Sequence, residues 1–532
     1  MAIISLIYPK SYFSDDLLRY SFLARRGKIP LQTQIKISSF DQARNILQLE
    51  ADWDESVTVH IPYFYKRYGL FYYSTESLKS RCQPYLLLRE LARGQLSRIT
   101  KKRFEWQILG LKIPINIRRR IRLNLIQMSQ LATVHWLNAE FDEKAHSFFL
   151  NLIDSSILLL DQFIEQSLIA RQAIVQSFPV FTGIRFRFPC SEKTLLQLNN
   201  SEFRLLNPNY CWKDIEPQQG QFVWNHLDDA VEKAQSNQWH FVIGPLIRWE
   251  KNDLPFWVLK YLEQPELFES YLFRYFDSVL NRYSFCHYWI ISCGTAAYLG
   301  NLLISQRLDW IETLAQKIRA KNPQAEILIG IKQPWGDFFW KNSEIFPLEL
   351  GERFIKLKNI DGFFLEMDFD LAQEASLPRD PFELNWLLDQ WSYFGKKIHI
   401  SFSVPSDSRF FNVNEKISFW NQKIQQELVR RYFLSFLTRK SIVAVYWSKL
   451  EDLLFESDIS VHSDDFLQRF NSKLQKDSEL LSDNQNFEID ETNLFKEATS
   501  ILPFSFSGLF QNDGSAKSGY YKLMALIRTF LG

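Results

Sequence analysis

Cysteine is scarce in this chain of 532 residues, with five in all: Cys82, Cys190, Cys211, Cys286 and Cys293. The number is odd and no two stand at C-x-x-C spacing, which argues against a disulfide framework, a thiolate zinc site and a thiol-exchange motif, and fits a reducing compartment. Charge of one sign is missing too: 62 basic side chains face 61 acidic ones. A net charge of +1 creates no global field that would gather nucleic acid or an anionic membrane. The local exception is Arg118, Arg119, Arg120 and Arg122, which read as a solvated helix face. The opening MAIISLIYPKSYFSDD lacks the basic and apolar blocks of a secretory signal, and no run of about 18 apolar residues marks a membrane span. The expectation is a soluble, cytoplasmic chain with neither a nucleic-acid nor a membrane partner. There is no glycine-rich phosphate loop and no G-x-S-x-G element. His287 and His399 lie in strand-like runs without Cys, Asp or Glu at ligand spacing, so no metal and no cofactor is expected.

Aromatic residues, by contrast, are plentiful: 46 Phe and 16 Trp exceed what a core alone usually needs. They fit either carbohydrate platforms or a Phe-rich core. Residues 1–83 alternate short apolar runs (AIISLIY, TQIKIS, VTVHIPYF, GLFYYST) with polar breaks, predicting a small β module, sandwich-like, of antiparallel strands. Residues 84–176 change to helical texture, with stretches such as RRRIRLNLIQMSQLATVHWLNAEF that offer a surface to a protein partner. From residue 178 to 532, β-rich runs alternate with helical ones. Eight are counted: 181–186, 203–210, 240–247, 287–293, 326–332, 360–367, 396–404 and 441–447. Eight strands with intervening helices predict an α/β fold, a closed (β/α)8 TIM barrel. The charged, Ser- and Asn-rich stretch over roughly 451–500 reads as a flap over its mouth.

Within the barrel segment, WKDIEPQQGQFVWNHLDDAVEKAQSN resembles the pattern W-D-x-x-E-P-x-x-G-x-F-x-F and its following helix in glycoside hydrolase family 10. GPLIRWEKNDLPFWV is similar to that family's G-H-T-L-V-W-H-x-Q-L-P-x-W, and GLFQNDGSAKSGYYKLMALI to its terminus. HYWIISCG takes the place of W-D-V-V-N-E, IDGFFLEMD that of I-D-G-V-G-x-Q-x-H, and VAVYW that of the strand 8 tryptophan motif. The resemblance covers about two thirds of the chain, in order, and implies a barrel of carbohydrate metabolism that handles β-linked oligo- or polysaccharide.

The family hydrolyses by a retaining route, with two carboxyl groups about 5 Å apart at the ends of strands 4 and 7. In this sequence the matched positions carry Gly294 and Phe402, neither of which donates a proton or attacks a sugar. Cys211 and Pro245 replace two further sugar contacts. The letters LEMD mimic the nucleophile motif, but strand counting puts Glu366 at the end of strand 6, with another strand before the last.

Glu366 and Asp368 are therefore the candidate catalytic carboxylates, at the C-terminal mouth where barrel enzymes place their sites. A structural ion pair is the competing reading for Glu366. Candidate substrate-binding residues are Trp249, Glu250, Gln333, Trp335, Trp447 and Asp452, the tryptophans by stacking on sugar faces or else by packing in the core. Two functions follow: a glycosidase using a relocated carboxylate pair, with Glu366 as one member, or a non-catalytic glycan-binding or scaffold pseudo-hydrolase.

Overall fold

The computed structural model describes residues 2–25, 29–135, 140–175, 177–187, 190–336, 345–369, 377–406, 420–452, 507–511 and 513–531. The flap expected over 451–500 lies, from residue 453 onward, outside the described residues.

The amino-terminal part builds two four-stranded sheets. One joins β1 (Ala2–Pro9), β4 (Gln34–Ser39), β5 (Arg44–Ala51) and β8 (Tyr85–Leu86); the other joins β2 (Phe22–Arg25), β3 (Ile29–Pro30), β6 (Thr58–Tyr65) and β7 (Gly69–Ser74). β1 and β5 run antiparallel from Ala2↔Ala51 to Pro9↔Arg44, so their alternate apolar residues share one buried face. The turn between β4 and β5 is set by Asp41, whose Oδ1 accepts from the backbone N–H groups of Ala43 and Arg44 at 2.8 Å. A short helix, α1 (Asp15–Leu18), follows β1, and Phe13 just before it packs against Tyr8 and Tyr63 from the two sheets.

Three helices come next: α2 (Leu87–Ile108), α3 (Ile115–Thr133) and α4 (Phe141–Gln172). In α4 one 18-residue window is apolar enough, by length and composition, to cross a membrane, but 56% of that window is buried inside the molecule. The helix has ordinary core partners. Phe163 stacks on Trp106 of α2 at 4.1 Å, and that indole also meets Phe382 of the barrel at 5.5 Å. Arg171 donates to the carbonyls of Leu437 and Arg439, and Arg98 of α2 pairs with Asp380 at 3.3 Å, so the helices bind the barrel through both apolar and polar contacts.

The barrel closes as expected. Its strands are β9 (Phe181–Arg185), β10 (Leu205–Asn207), β11 (His240–Ile243) continued by β12 (Ile247–Arg248), β13 (Tyr288–Cys293), β14 (Glu326–Lys332), β15 (Gly362–Asp368), β16 (Lys397–Ser403) and β17 (Ile442–Trp447). All pair in parallel, and β17 returns to β9 with Trp447 opposite Ile184. The third strand is interrupted at Gly244, whose φ of 101° a side chain rarely adopts; a Cβ there would lie 2.1 Å from the carbonyl oxygen of Ile290. The interior is filled by Leu205, Val242, Tyr288, Ile290, Leu328, Phe364, Ala444 and Tyr446. This is a packed core with the polar residues left above it at the strand ends.

Candidate functional site

Strand alternation decides which side chains face the mouth. Along β15, Phe364, Glu366 and Asp368 share the inward face, whereas Phe363 packs outward on Trp391 of the helix Pro381–Tyr393. β16 alternates in the same way: His399 lies inside against Tyr446, and Ser401 and Ser403 follow it toward the mouth. Phe402 therefore points outward. It is fully buried against Phe436 and Trp447, at 5.2 and 5.0 Å between ring centroids. The expectation that Phe402 stands at the mouth is thus off by one residue, and the inward positions at the end of the seventh strand are serines.

Glu366 lies in the sixth strand, as counted, but two residues before its end at Asp368, and is buried in a network that sequence reading missed. Its Oε1 accepts from Arg185 of β9 at 2.5 Å and from Arg248 of β12 at 2.7 Å, and its Oε2 accepts from Arg248 at 3.2 Å. Asn209 Oδ1 bridges the two guanidinium groups, at 2.6 Å from Arg185 and 3.0 Å from Arg248. Asn207 accepts from Arg185 Nε at 3.0 Å and donates to the carbonyls of Val242 and Gly244. Burial alone would raise the carboxyl pKa of Glu366, but Arg185 and Arg248 outweigh it and hold the group well below the ordinary carboxylate range. The signal in the sequence was an arginine inside each of two apolar runs, GIRF and PLIRW.

The other carboxylates are arranged differently. Asp368, half-buried, accepts from Ser403 Oγ at 2.9 Å and from Ser448 Oγ. Glu250 lies beyond the third strand with both oxygens 3.1 Å from Lys332 Nζ. Gly294 directly follows the fourth strand with φ 71°, and a Cβ built on it would lie 3.5 Å from Glu250 Oε1. The Glu250 carboxylate thus lies at ordinary contact distance from the place where a side chain at 294 would begin. Asp452 pairs with Lys517 at 2.6 Å. Its neighbour Glu451 accepts from Ser191 Oγ at 2.6 Å and from Thr194, and so holds the start of the helix Glu192–Asn199. Gln333 adopts a left-handed φ of 47° and donates its N–H to the Glu366 carbonyl at 3.1 Å, which ties the fifth strand end to the sixth.

The tryptophans are not presented to the mouth. Trp249 is fully buried, stacked with Trp310 at 6.2 Å and flanked by Phe268 and Arg307. Trp447 is buried on Phe402, with its indole N–H donating to the Ser507 carbonyl at 3.2 Å. Trp335 is buried beside Phe369. In these positions the rings have the packing role that was the alternative to sugar stacking. At the opposite end of the barrel, His399 meets Glu326 at 2.7 Å; burial would raise the Glu326 pKa, but His399 and Lys397 together lower it to about 2. No three His, Cys, Asp or Glu side chains converge as a metal site among the described residues.

The chain matches no protein-family model and no curated protein. Among solved structures, native xylanase 10B from Thermotoga maritima aligns over 69% of this chain and 97% of its own, at 14% identity and a TM-score of 0.44. Xylanase B from Clostridium stercorarium F9 aligns over 66% and 98%, at 14% identity and 0.43. Native xylanase10C from Cellvibrio japonicus aligns over 66% and 71%, at 13% identity and 0.44.

Proposed function

We propose that the barrel binds a β-linked glycan at its mouth and does not hydrolyse it by the two-carboxylate route. The observation that carries this reading is the state of Glu366. A general acid has to hold a proton near neutral pH, and a nucleophile has to offer a free oxygen lone pair to the anomeric carbon. Glu366 does neither, because it stays ionised and both its oxygens are engaged by arginine. At the end of the seventh strand serines face inward, and Gly294 after the fourth brings no side chain. We read these as the replacements of the family's two glutamates, with Ser401 or Ser403 rather than Phe402 at the second. The carbohydrate assignment rests on the ordered motif resemblance in the sequence. Asp368, Glu250, Lys332 and Gln333 are the proposed hydroxyl-binding groups in place of stacking tryptophans.

Calorimetric titration with a panel of β-linked xylo-, gluco- and manno-oligosaccharides, run beside product analysis on the same sugars, tests the reading. We expect saturable binding to at least one class, weakened about tenfold or more by Asp368→Asn, since a hydrogen bond to a charged group contributes about 1.5–3 kcal/mol. No hydrolysis above the buffer rate is expected for the wild type. Robust turnover, or an absence of binding across the panel, would overturn it.

A further inference from the structure

The helical segment carries a surface that the barrel does not use. Between residues 101 and 125 stand eight basic residues, Lys101, Lys102, Arg103, Lys112, Arg118, Arg119, Arg120 and Arg122, against a single acid, Glu105, in a chain whose net charge is +1. Some are neutralised in place: Lys101 pairs with Glu76, Lys102 with Glu105 and Arg120 with Asp154. Lys112, Arg118, Arg119 and Arg122 form no ion pair with any described residue, and all four are exposed.

Apolar residues accompany these charges on the outside of the molecule. The inner face of α3 buries Ile117, Ile121, Asn124 and Leu131. Its outer face, read at helical spacing, runs Ile115, Arg119, Arg122, Leu123, Ile126, and the three apolar members are 67%, 53% and 46% exposed. The turn leading into the helix adds Ile108 and Leu109, at 71% and 78% exposed. Five large aliphatic side chains left in water beside unpaired cations do nothing for this fold. Nucleic acid would engage the arginines and leave the aliphatic groups wet. A bilayer rich in anionic lipid satisfies both: aliphatic side chains enter the boundary between headgroups and acyl chains while guanidinium groups meet lipid phosphates.

We infer that α3, with the turn before it, is a docking surface for an anionic membrane, the helix lying in the plane of the interface. This departs from the expectation of no membrane partner, which rested on the net charge of +1, on the lack of a spanning apolar run and on reading the arginine cluster as a solvated helix face. It is independent of the glycan reading and is tested without sugar.

Full-length protein is floated with vesicles of phosphatidylcholine alone or mixed with phosphatidylglycerol. Binding is expected only to the mixed vesicles and is expected to weaken as salt is raised. A basic residue near such a surface is worth about fivefold in binding, so Arg119→Ala/Arg122→Ala should weaken it about 25-fold. Leu123→Ser/Ile126→Ser should weaken it about tenfold or more through lost apolar burial. Because these positions are exposed, the thermal midpoint should stay put, and Arg119→Lys/Arg122→Lys, which keeps the charge, should retain binding. Failure to float with mixed vesicles at low salt overturns the inference, as does flotation indifferent to these substitutions. A discrete self-assembly seen by light scattering, abolished by the same substitutions without vesicle binding, would overturn it in favour of a protein interface.

Discussion

Glu366→Gln is expected to cost the barrel about 3–5 kcal/mol at pH 7, the range seen when one partner of a buried ion network is removed. Glutamine has the shape of glutamate, so no cavity opens and the loss is electrostatic. Arg185 and Arg248, with side chains 4% and 11% exposed, would face each other across a neutral amide. The pH dependence follows from the sign of the shift. The folded-state pKa of Glu366 lies below its unfolded value of about 4.3, so its stabilisation is complete above that value and declines as pH falls through and below it. The difference between wild type and variant should then narrow by up to about 1.4 kcal/mol per pH unit below pH ~4, the limit for one proton. Glu326, whose pKa is also lowered, loses its contribution over the same acid range, but it is common to both proteins and cancels in the difference. Urea denaturation of the two proteins at pH 7, 5 and 3.5 gives the comparison. A gap under about 1 kcal/mol at pH 7, or one that does not narrow in acid, would show that the arginines are compensated elsewhere.

The eight strands were legible because strands of a parallel barrel are covered on both faces and read as apolar blocks between helical stretches. Where a run was overestimated, the backbone shows why. HFVIGPLI contains the Gly244 break and becomes two short strands, and FRLLNPNY ends early because Asn209 takes a left-handed φ of 56° to reach both arginines. The orientation of the seventh strand was also present in the letters. In KIHISFS, His399, Ser401 and Ser403 fall on one parity and Ile398, Ile400 and Phe402 on the other, so Phe402 belongs with the apolar outer face. Matching motif letters ignored that parity and placed Phe402 at the mouth. The pairing of Glu366 with Arg185 and Arg248 was less accessible, since it joins residues 181 and 118 positions apart. Trp249 illustrates the same limit, because its stacking partner Trp310 comes from a helix whose packing no local pattern specifies.

The motif that matched best, WKDIEPQQG, is expected to prove structural: Glu216→Ala should cost about 2–3 kcal/mol, less than breaking the Glu366 network because Arg274 is 38% exposed. Glu216 is fully buried and accepts three hydrogen bonds. Trp212 Nε1 donates to its Oε2 at 2.9 Å, the Gly220 N–H donates to its Oε1 at 2.7 Å, and Arg274 donates to Oε1 as well. One carboxylate thereby locks the start of the segment, the turn at Gly220 and the helix Pro265–Tyr283 that carries Arg274. Truncation leaves the Trp212 indole N–H buried without an acceptor, at about 1–3 kcal/mol before relaxation, while the exposed Gly220 N–H exchanges its partner for water at less cost. Glu216→Gln should cost less but still over about 1 kcal/mol. All three partners donate, and an amide that keeps its oxygen toward Gly220 and Arg274 turns its NH2 against the indole N–H. The measurement is the urea midpoint and slope of each variant, followed by tryptophan fluorescence. A loss below about 1 kcal/mol for the alanine variant would remove Glu216 from this role. A loss near the upper value would explain why a segment that resembles a glycoside hydrolase motif stands in a barrel whose mouth is built from arginine, asparagine and serine: the segment holds the barrel together, whatever happens above it.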